Sequence, residues 1–288
     1  MLFGEHTVIK GGAALALPAT DFFGIWQYAS NEGEREILQQ NLPLFHQYLS
    51  TQGLHDFIDL STFEVALLDG LYFSSNIPTG YGLGSSGALC AAILDKFGKI
   101  TELLPLLTLK ELLAKMESFF HGASSGTDPL VSYINSPLLL KEGIYRVKIP
   151  PHNPQGRGAF FLLDTGIQRE ANQFINGFLD KMKVRSFNRK CQTELIPLVE
   201  MSIDAFLVGN WDALYVAMDT LSIFQFEHFD FMIPPSFRNI WQKGLDSHHF
   251  KLKICGAGGG GFLLGFSKNF ERTKEVLKDY SVQSFFQF

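Results

Sequence analysis

Three cysteines, Cys90, Cys191 and Cys255, are the whole thiol complement of the 288-residue chain. Their number is odd and their spacing is not that of a metal knuckle. A disulfide scaffold is therefore excluded, and a reduced, cytoplasmic setting is expected. No apolar run reaches the length needed to cross a bilayer, and Met1 is not followed by the basic stretch and apolar core of a secretory leader. Repeats and low-complexity segments are missing too. Lysine and arginine (24) are outnumbered by aspartate and glutamate (29), and the net charge of −5 argues against a general nucleic-acid binder. What remains is globular in composition, 46% hydrophobic and 18% charged, and long enough for two domains. The 28 phenylalanines are scattered, which assigns them to core packing.

The informative residues are concentrated in one stretch. Ile77 to Leu94 reads IPTGYGLGSSGALCAAIL. Gly80, Gly82, Gly84 and Gly87 surround Leu83, Ser85 and Ser86, and a run of small and apolar residues at helical spacing follows. The pattern predicts a glycine-rich loop opening onto a helix N-terminus, where backbone N–H groups and the positive end of the helix dipole suit an anion. Glycine permits positive φ and close approach of the backbone to a phosphate. The hydroxyl of Ser85 or Ser86 is placed to reach a phosphate oxygen or a bound Mg2+. Other glycine signatures fit poorly. Gly82, Gly84 and Gly87 satisfy G-x-G-x-x-G, but the only acidic residue about twenty positions on is Glu102, in a leucine-rich context unlike a dinucleotide fold. A Walker A loop needs Gly-Lys-Ser/Thr, and Ala88 and Leu89 follow Gly87. A protein-kinase loop runs into a lysine-bearing strand, whereas this one runs into a helix.

Elsewhere the chain reads as follows. Thr7–Lys10 and Ala13–Leu17 are expected as strands joined at Gly11-Gly12, a hairpin signal. The opening Met1-Leu2-Phe3 is already apolar, whereas a first strand usually begins several residues earlier. Glu5-His6, after Gly4, is either a solvated turn or a polar pair holding a hydroxylated substrate. A strand is expected at 21–28, a helix at 35–49, and a helix at 61–70 with Ser61 as N-cap and Glu64 completing a capping box. A strand over 71–77 feeds the central loop. Thr108 and Glu111 form a second capping box, opening a helix to about Phe120 whose stripe is Leu109, Leu112, Leu113, Met116, Phe119 and Phe120. Glu117 falls at the rim of that stripe, about 80° from Leu109, and is either a boundary glutamate or a carboxylate suited to a metal. Ser124 to Asp128 makes a second loop of small residues. PPHNPQGRG, at about 150–157, marks a boundary. Beyond it a strand at 159–163, two or three helices between 171 and 222, a packed loop at 228–237 and a helix at 237–245 are expected. Two apolar strands within 251–266 flank Gly256-Ala-Gly-Gly-Gly-Gly261, and a helix follows at 271–279. Four consecutive glycines between strands point to close approach of a backbone or ligand.

Gly4-Glu5-His6-Thr7-Val8 through Pro18, Pro78-Thr-Gly-Tyr-Gly-Leu-Gly-Ser-Ser-Gly87 and Lys253-Ile-Cys-Gly-Ala-Gly-Gly-Gly-Gly261 together resemble the three motifs of the GHMP kinase family, in order and across the whole chain. Within the family the chain is most similar to the mevalonate kinases. The first motif continues as Glu-His-Thr-Val, and Glu117 is followed by His-Gly-Ala-Ser-Ser-Gly-Thr-Asp128. The resemblance implies an α+β fold with two domains. Residues 1–153 would form an ATP-binding domain like the second domain of ribosomal protein S5, and 154–288 a ferredoxin-like domain. It also implies roles. Residues 80–88, with Gly80, Gly82, Leu83, Gly84, Ser85, Ser86 and Gly87, would wrap the ATP phosphates, and Gly256 to Gly261, with Gly258 and Gly259, would close over them. Ser86 and Glu117 would hold Mg2+, Asp128 would take the proton of the substrate hydroxyl, and Glu5 and His6 would line the substrate pocket.

The expected activity is ATP-dependent phosphorylation of mevalonate to 5-phosphomevalonate in isoprenoid precursor synthesis. The alternatives are another GHMP kinase, acting on phosphomevalonate or a sugar, and a catalytically silent metabolite sensor of the same fold. A small-molecule substrate is the expected partner; a homodimer is compatible, and neither nucleic acid nor membrane is expected. Some residues depart from the mevalonate kinase pattern. The lysine usual before Gly-Glu-His has no counterpart here, and Lys10, after the motif, is no positional substitute. Cys255 stands where threonine is common. Arg169 is kept, but Glu170-Ala171 follows where threonine is frequent.

Overall fold

The computed structural model describes residues 1–100, 104–169 and 171–288; Glu102 and Glu170 lie outside the described residues. In chain order the elements are β1 Ala14–Ala16, β2 Gly24–Tyr28, α1 Glu32–Gln39, α2 Leu42–Thr51, α3 Leu60–Leu68, β3 Leu71–Ser75, α4 Ser85–Phe97, α5 Leu106–His121, α6 Thr127–Ile134, β4 Leu138–Leu140, β5 Ile144–Arg146, β6 Ala159–Asp164, α7 Ala171–Met182, α8 Arg185–Lys190, α9 Ile196–Leu207, α10 Trp211–His228, α11 Arg238–Ser247, β7 Lys251–Ile254, β8 Phe262–Ser267, α12 Phe270–Val276 and β9 Val282–Gln287. A π-helical segment, Cys191–Leu195, joins α8 to α9. Among the described residues no helix is long and apolar enough to cross a membrane.

The chain packs as two compact units, one of residues 1–17, 79–82 and 137–288 and one of residues 18–78 and 83–136. The sequence reading divides the chain instead at residue 153. The packing differs because the first residues join the C-terminal part, Phe3 packing on Phe160 and Glu5 pairing with Lys253, while β1 pairs antiparallel with β4 and β4 with β5 and so brings residues 138–146 with it.

In the larger unit β6, β7, β8 and β9 form an antiparallel sheet in the order β7-β8-β6-β9. Taken with the intervening helices, this is the β-α-β-β-α-β order of a ferredoxin-like domain. Strand β6 is buried along nearly its whole length, as an inner strand covered on both faces must be. Phe160 packs edge-on to Phe3, Phe206 and Phe266 at 4.9–6.3 Å between ring centroids. Leu214, Met218 and Leu221 of α10 extend the same core.

The smaller unit is mainly helical. Helix α4 buries Cys90, Ile93, Leu94 and Phe97, and the β2–β3 ribbon sends Trp26 against Phe73 and Phe97. The stripe expected on α5 is buried at Leu109, Leu112, Leu113 and Met116. Phe119 and Phe120 meet Phe45 of α2, each at 5.0 Å.

Several local expectations are corrected. Val8–Lys10 is a 3-10 turn rather than a strand. Gly11, at φ 83°, closes that turn instead of a hairpin, and β1 pairs with β4. The helix expected over 35–49 is two helices, broken at Gln40, where φ is 47°. The cap of α3 is Asp59, not Ser61: the Asp59 carboxylate accepts both the Thr62 N–H and the Ser61 hydroxyl. Helix α5 starts after Pro105, which puts Thr108 inside its first turn. Strands β4, β5 and β9 have no counterpart in the sequence reading; two of them are only three residues long.

Gly265 faces Phe161 across the β6–β8 ladder, and a Cβ there would lie 2.1 Å from the ring. Gly265→Ala is expected to lower unfolding stability by about 1–3 kcal/mol, the usual cost of overpacking, read from the urea midpoint at unchanged slope.

Candidate active site

The glycine-rich stretch delivers the helix N-terminus that the sequence predicts: α4 opens at Ser85. Gly84 holds φ +74°, a conformation that L side chains rarely adopt. A Cβ at Gly84 would lie 3.2 Å from Cβ and 3.7 Å from Oδ2 of Asp128, so the Asp128 carboxylate lies beside the loop. A Cβ at Gly87 would meet the Pro129 backbone nitrogen at 2.8 Å. These absent side chains let the N-termini of α4 and α6 come together. Asp128 sits in the first turn of α6, where the helix dipole favours a carboxylate.

Behind this junction Glu117 is 6% exposed, deeper than the rim position read from periodicity. Its Oε1 accepts the Ser86 hydroxyl at 2.9 Å, and its Oε2 accepts the Ser124 hydroxyl. Ser86 and Glu117, 31 residues apart, are thereby brought together as expected. They offer a hydroxyl and a carboxylate, hard oxygen donors of the kind Mg2+ takes. Among the described residues no group of three or more His, Cys, Asp or Glu is arranged to hold a metal. The fit is therefore to a cation that draws its remaining ligands from phosphate and water, as Mg2+ does at nucleotide sites.

The larger unit carries the other motif residues. Glu5 forms an ion pair with Lys253, whose side chain is 1% exposed and which also donates to the Ile254 carbonyl at 2.7 Å. Two charges withdrawn from water are tolerable only as such a pair. His6 lies buried next to it, its ring 5.3 Å from those of both Phe178 and Phe229. Burial lowers the His6 pKa to about 4, opposed by the Glu5 carboxylate and reinforced by the Lys253 ammonium. Its Nε2 and the Thr7 hydroxyl have no hydrogen-bond partner among the described residues.

Three distant segments of this unit converge on the third loop. Gly259 N–H donates to the Met232 carbonyl at 2.6 Å and Gly261 N–H to the Ile167 carbonyl at 2.7 Å. The Thr165 hydroxyl donates to the Gly261 carbonyl at 2.6 Å, and the Tyr81 ring packs on Phe262. Arg169 donates through Nη2 to the Cys255 carbonyl at 3.3 Å, and its backbone N–H donates to the Gly80 carbonyl. Its guanidinium is largely buried, which lowers its pKa, and it makes no ion pair among the described residues. Sequence reasoning gave no role to Arg169, Lys253 or Ser124. The one available signal for Lys253 was its place in an otherwise apolar strand, KLKI.

His6 makes stability pH-dependent with a definite sign. The unfolded chain protonates this ring near pH 6.5, the folded protein only near pH 4, so the unfolded state takes up the proton first. The contribution is intact above pH 6.5, falls as the pH drops towards 4 and levels off below. Unfolding free energy is expected to lose about 2 kcal/mol between pH 6.5 and 5 through this group. Denaturant titrations of the wild type and His6→Phe check it: the variant's decline over that interval should be shallower by that amount.

Residues 52–135 match the family model for the GHMP kinases N terminal domain. The chain is 46% identical over 74 residues to mevalonate kinase of Pyrococcus abyssi, covering 24% of this chain and 21% of the relative. It is 31% identical over 169 residues to mevalonate kinase of Thermococcus onnurineus, covering 50% and 49%. The matched stretches thus span half or less of the curated relatives' length. Among solved structures, L. major mevalonate kinase in complex with R-mevalonate superposes with a TM-score of 0.68 at 16% identity, over 96% of this chain and 87% of that one. Lactococcus lactis galactokinase complexed with galactose gives 0.65, also at 16% identity, over 98% and 90%. At such identity the likeness carries the fold alone, and two kinases of different substrate fit almost equally well. Residues 52–135 are thus similar to the N-terminal domain of GHMP kinases, and the chain shares the fold of kinases in that family.

Proposed function

We propose that this chain is an ATP- and Mg2+-dependent kinase that phosphorylates the primary hydroxyl of mevalonate. The observation that carries the reading is the junction of two helix N-termini, at which Gly84 adjoins the Asp128 carboxylate while Ser86 is bonded to Glu117. An anion-binding helix end, a hard-oxygen cation site and a carboxylate base within one compact unit are what phosphoryl transfer to an alcohol needs, since its catalysis is mainly positioning and charge neutralisation. Mevalonate as the substrate is supported by the name shared by the sequence relatives, not by the fold.

In this reading Gly80, Gly82, Leu83, Gly84, Ser85, Ser86 and Gly87 cradle the ATP phosphates, and Gly258 and Gly259 are assigned to nucleotide binding as well. Ser86 and Glu117 hold Mg2+, which neutralises charge on the phosphate oxygens when bound. The substrate hydroxyl oxygen bonds to the γ-phosphorus as the bond from that phosphorus to the β,γ-bridging oxygen breaks. ADP leaves with the electron pair, and Asp128 receives the hydroxyl proton. Glu5, locked by Lys253, and neutral His6 present fixed polar groups to the hydroxylated substrate. The buried guanidinium of Arg169, without an ion pair among the described residues, suits an anionic group of substrate or nucleotide. The three buried, unpaired cysteines fit a reaction in the cytoplasm.

ATP consumption with Mg2+ should be measured with mevalonate, phosphomevalonate and galactose in parallel. Turnover with mevalonate is expected. Turnover confined to another acceptor would retain a kinase and discard mevalonate, and ATP binding without any turnover would favour a sensor. Asp128→Asn is expected to lower kcat by at least about 100-fold while nucleotide affinity stays within about threefold. Near-normal turnover in that variant would remove Asp128 as the base.

A further inference from the structure

The loop between α5 and α6 holds a contact that this reading does not use. Ser124 is half-buried there. Its hydroxyl donates to Oε2 of Glu117, while its oxygen accepts the Gly126 N–H at 2.9 Å. The other oxygen of the same carboxylate accepts the Ser86 hydroxyl. Ser86 lies in the first turn of α4, and Gly126 immediately precedes α6, whose first turn carries Asp128. A continuous hydrogen-bonded chain therefore runs from the N-terminus of α4 through Glu117 and Ser124 to the N-terminus of α6.

The carboxylate at the middle of this chain is 6% exposed. Held by a hydroxyl on each oxygen, it has a fixed plane, and rotation would cost a bond that water is poorly placed to replace. Fixing the outer oxygen of a carboxylate ligand is how partners beyond the ligands orient a metal site.

We infer that Ser124 is a positioning residue for the divalent cation, holding Oε2 of Glu117 so that Oε1 is presented to the metal beside Ser86. The inference rests on the proposed reading of Ser86 and Glu117 as the cation site. Ser124 is not itself a ligand. Through Gly126 it also sets the orientation of the cation's carboxylate relative to the helix that carries the base.

Mn2+ is the probe, its protein-bound fraction followed by electron paramagnetic resonance in the presence of β,γ-imido-ATP, using the full chain and Ser124→Ala, Ser124→Thr and Glu117→Gln variants. Ser124→Ala is expected to raise the Mn2+ dissociation constant about 10-fold, the lower end for loss of such a partner, and Ser124→Thr, which keeps a hydroxyl, to restore most of it. In steady-state assays the Mg2+ activation constant should rise in parallel, with KM for the acceptor unchanged at saturating Mg2+. Wild-type Mn2+ affinity in Ser124→Ala, with affinity lost in Glu117→Gln, overturns the inference and leaves the cation site standing. Wild-type affinity in Glu117→Gln overturns the cation reading itself. A Ser124→Ala variant that loses thermal stability and all ligand binding together, without rescue by threonine, also overturns the inference, because the hydroxyl would then be only a structural support.

Discussion

A run of glycines with its backbone packed closely must hold a conformation that the chain resists. Gly256, Gly258, Gly259, Gly260 and Gly261 all have positive φ, the most expensive kind of order for the least constrained residue. Much of the larger unit is arranged to meet that cost. Strands β7 and β8 clamp the two ends, the Met232 and Ile167 carbonyls bind N–H groups in the middle, and Thr165 seals the last glycine. The conformation is therefore set by the fold itself, and in the proposed reading little ordering is left to oppose nucleotide binding.

The two units manage charge differently. In the larger one Glu5 and Lys253 neutralise each other, while His6 stays uncharged because its surroundings are aromatic and dry. In the smaller one a buried carboxylate is stabilised by hydroxyl dipoles, Ser86 on one side and Ser124 on the other. A carboxylate matched with a lysine has its charge already satisfied. In the proposed reading it is Glu117, bonded to two hydroxyls, rather than the lysine-matched Glu5, that takes the cation.

What could be read from the sequence follows the range of the interactions. The glycine loop opening onto α4, the α5 stripe and the β7–β8 strands are written in local periodicity and glycine placement, and the structure has them. Glu117 was found because helical geometry placed it near the buried face, although its full burial depends on neighbours that periodicity does not reveal. Ser124 was hidden: a serine in a loop of small residues is unremarkable until its partner, seven positions back on another element, is known. Arg169 and Lys253 act across 86 and 248 residues, beyond any pattern of spacing. The cap at Asp59 was missed because Ser61 offered an equally good local signal, and only the folded geometry gave the bond to the stronger acceptor. Strands β4 and β5 are too short to develop an alternating pattern.

The pairing of Glu5 with Lys253 bears on synthesis as well as on binding. Glu5 is made 248 residues before Lys253. Until then a carboxylate destined for a dry site has no counter-ion, and β1 also waits for β4. The larger unit therefore cannot mature as the chain leaves the ribosome, while the helices of the smaller unit, made of closer contacts, are free to condense first. A nascent chain would pass through a stage in which one compact body exists and the other is still an open strand with its charge in water. That interval is the one in which chaperones or proteases would find it.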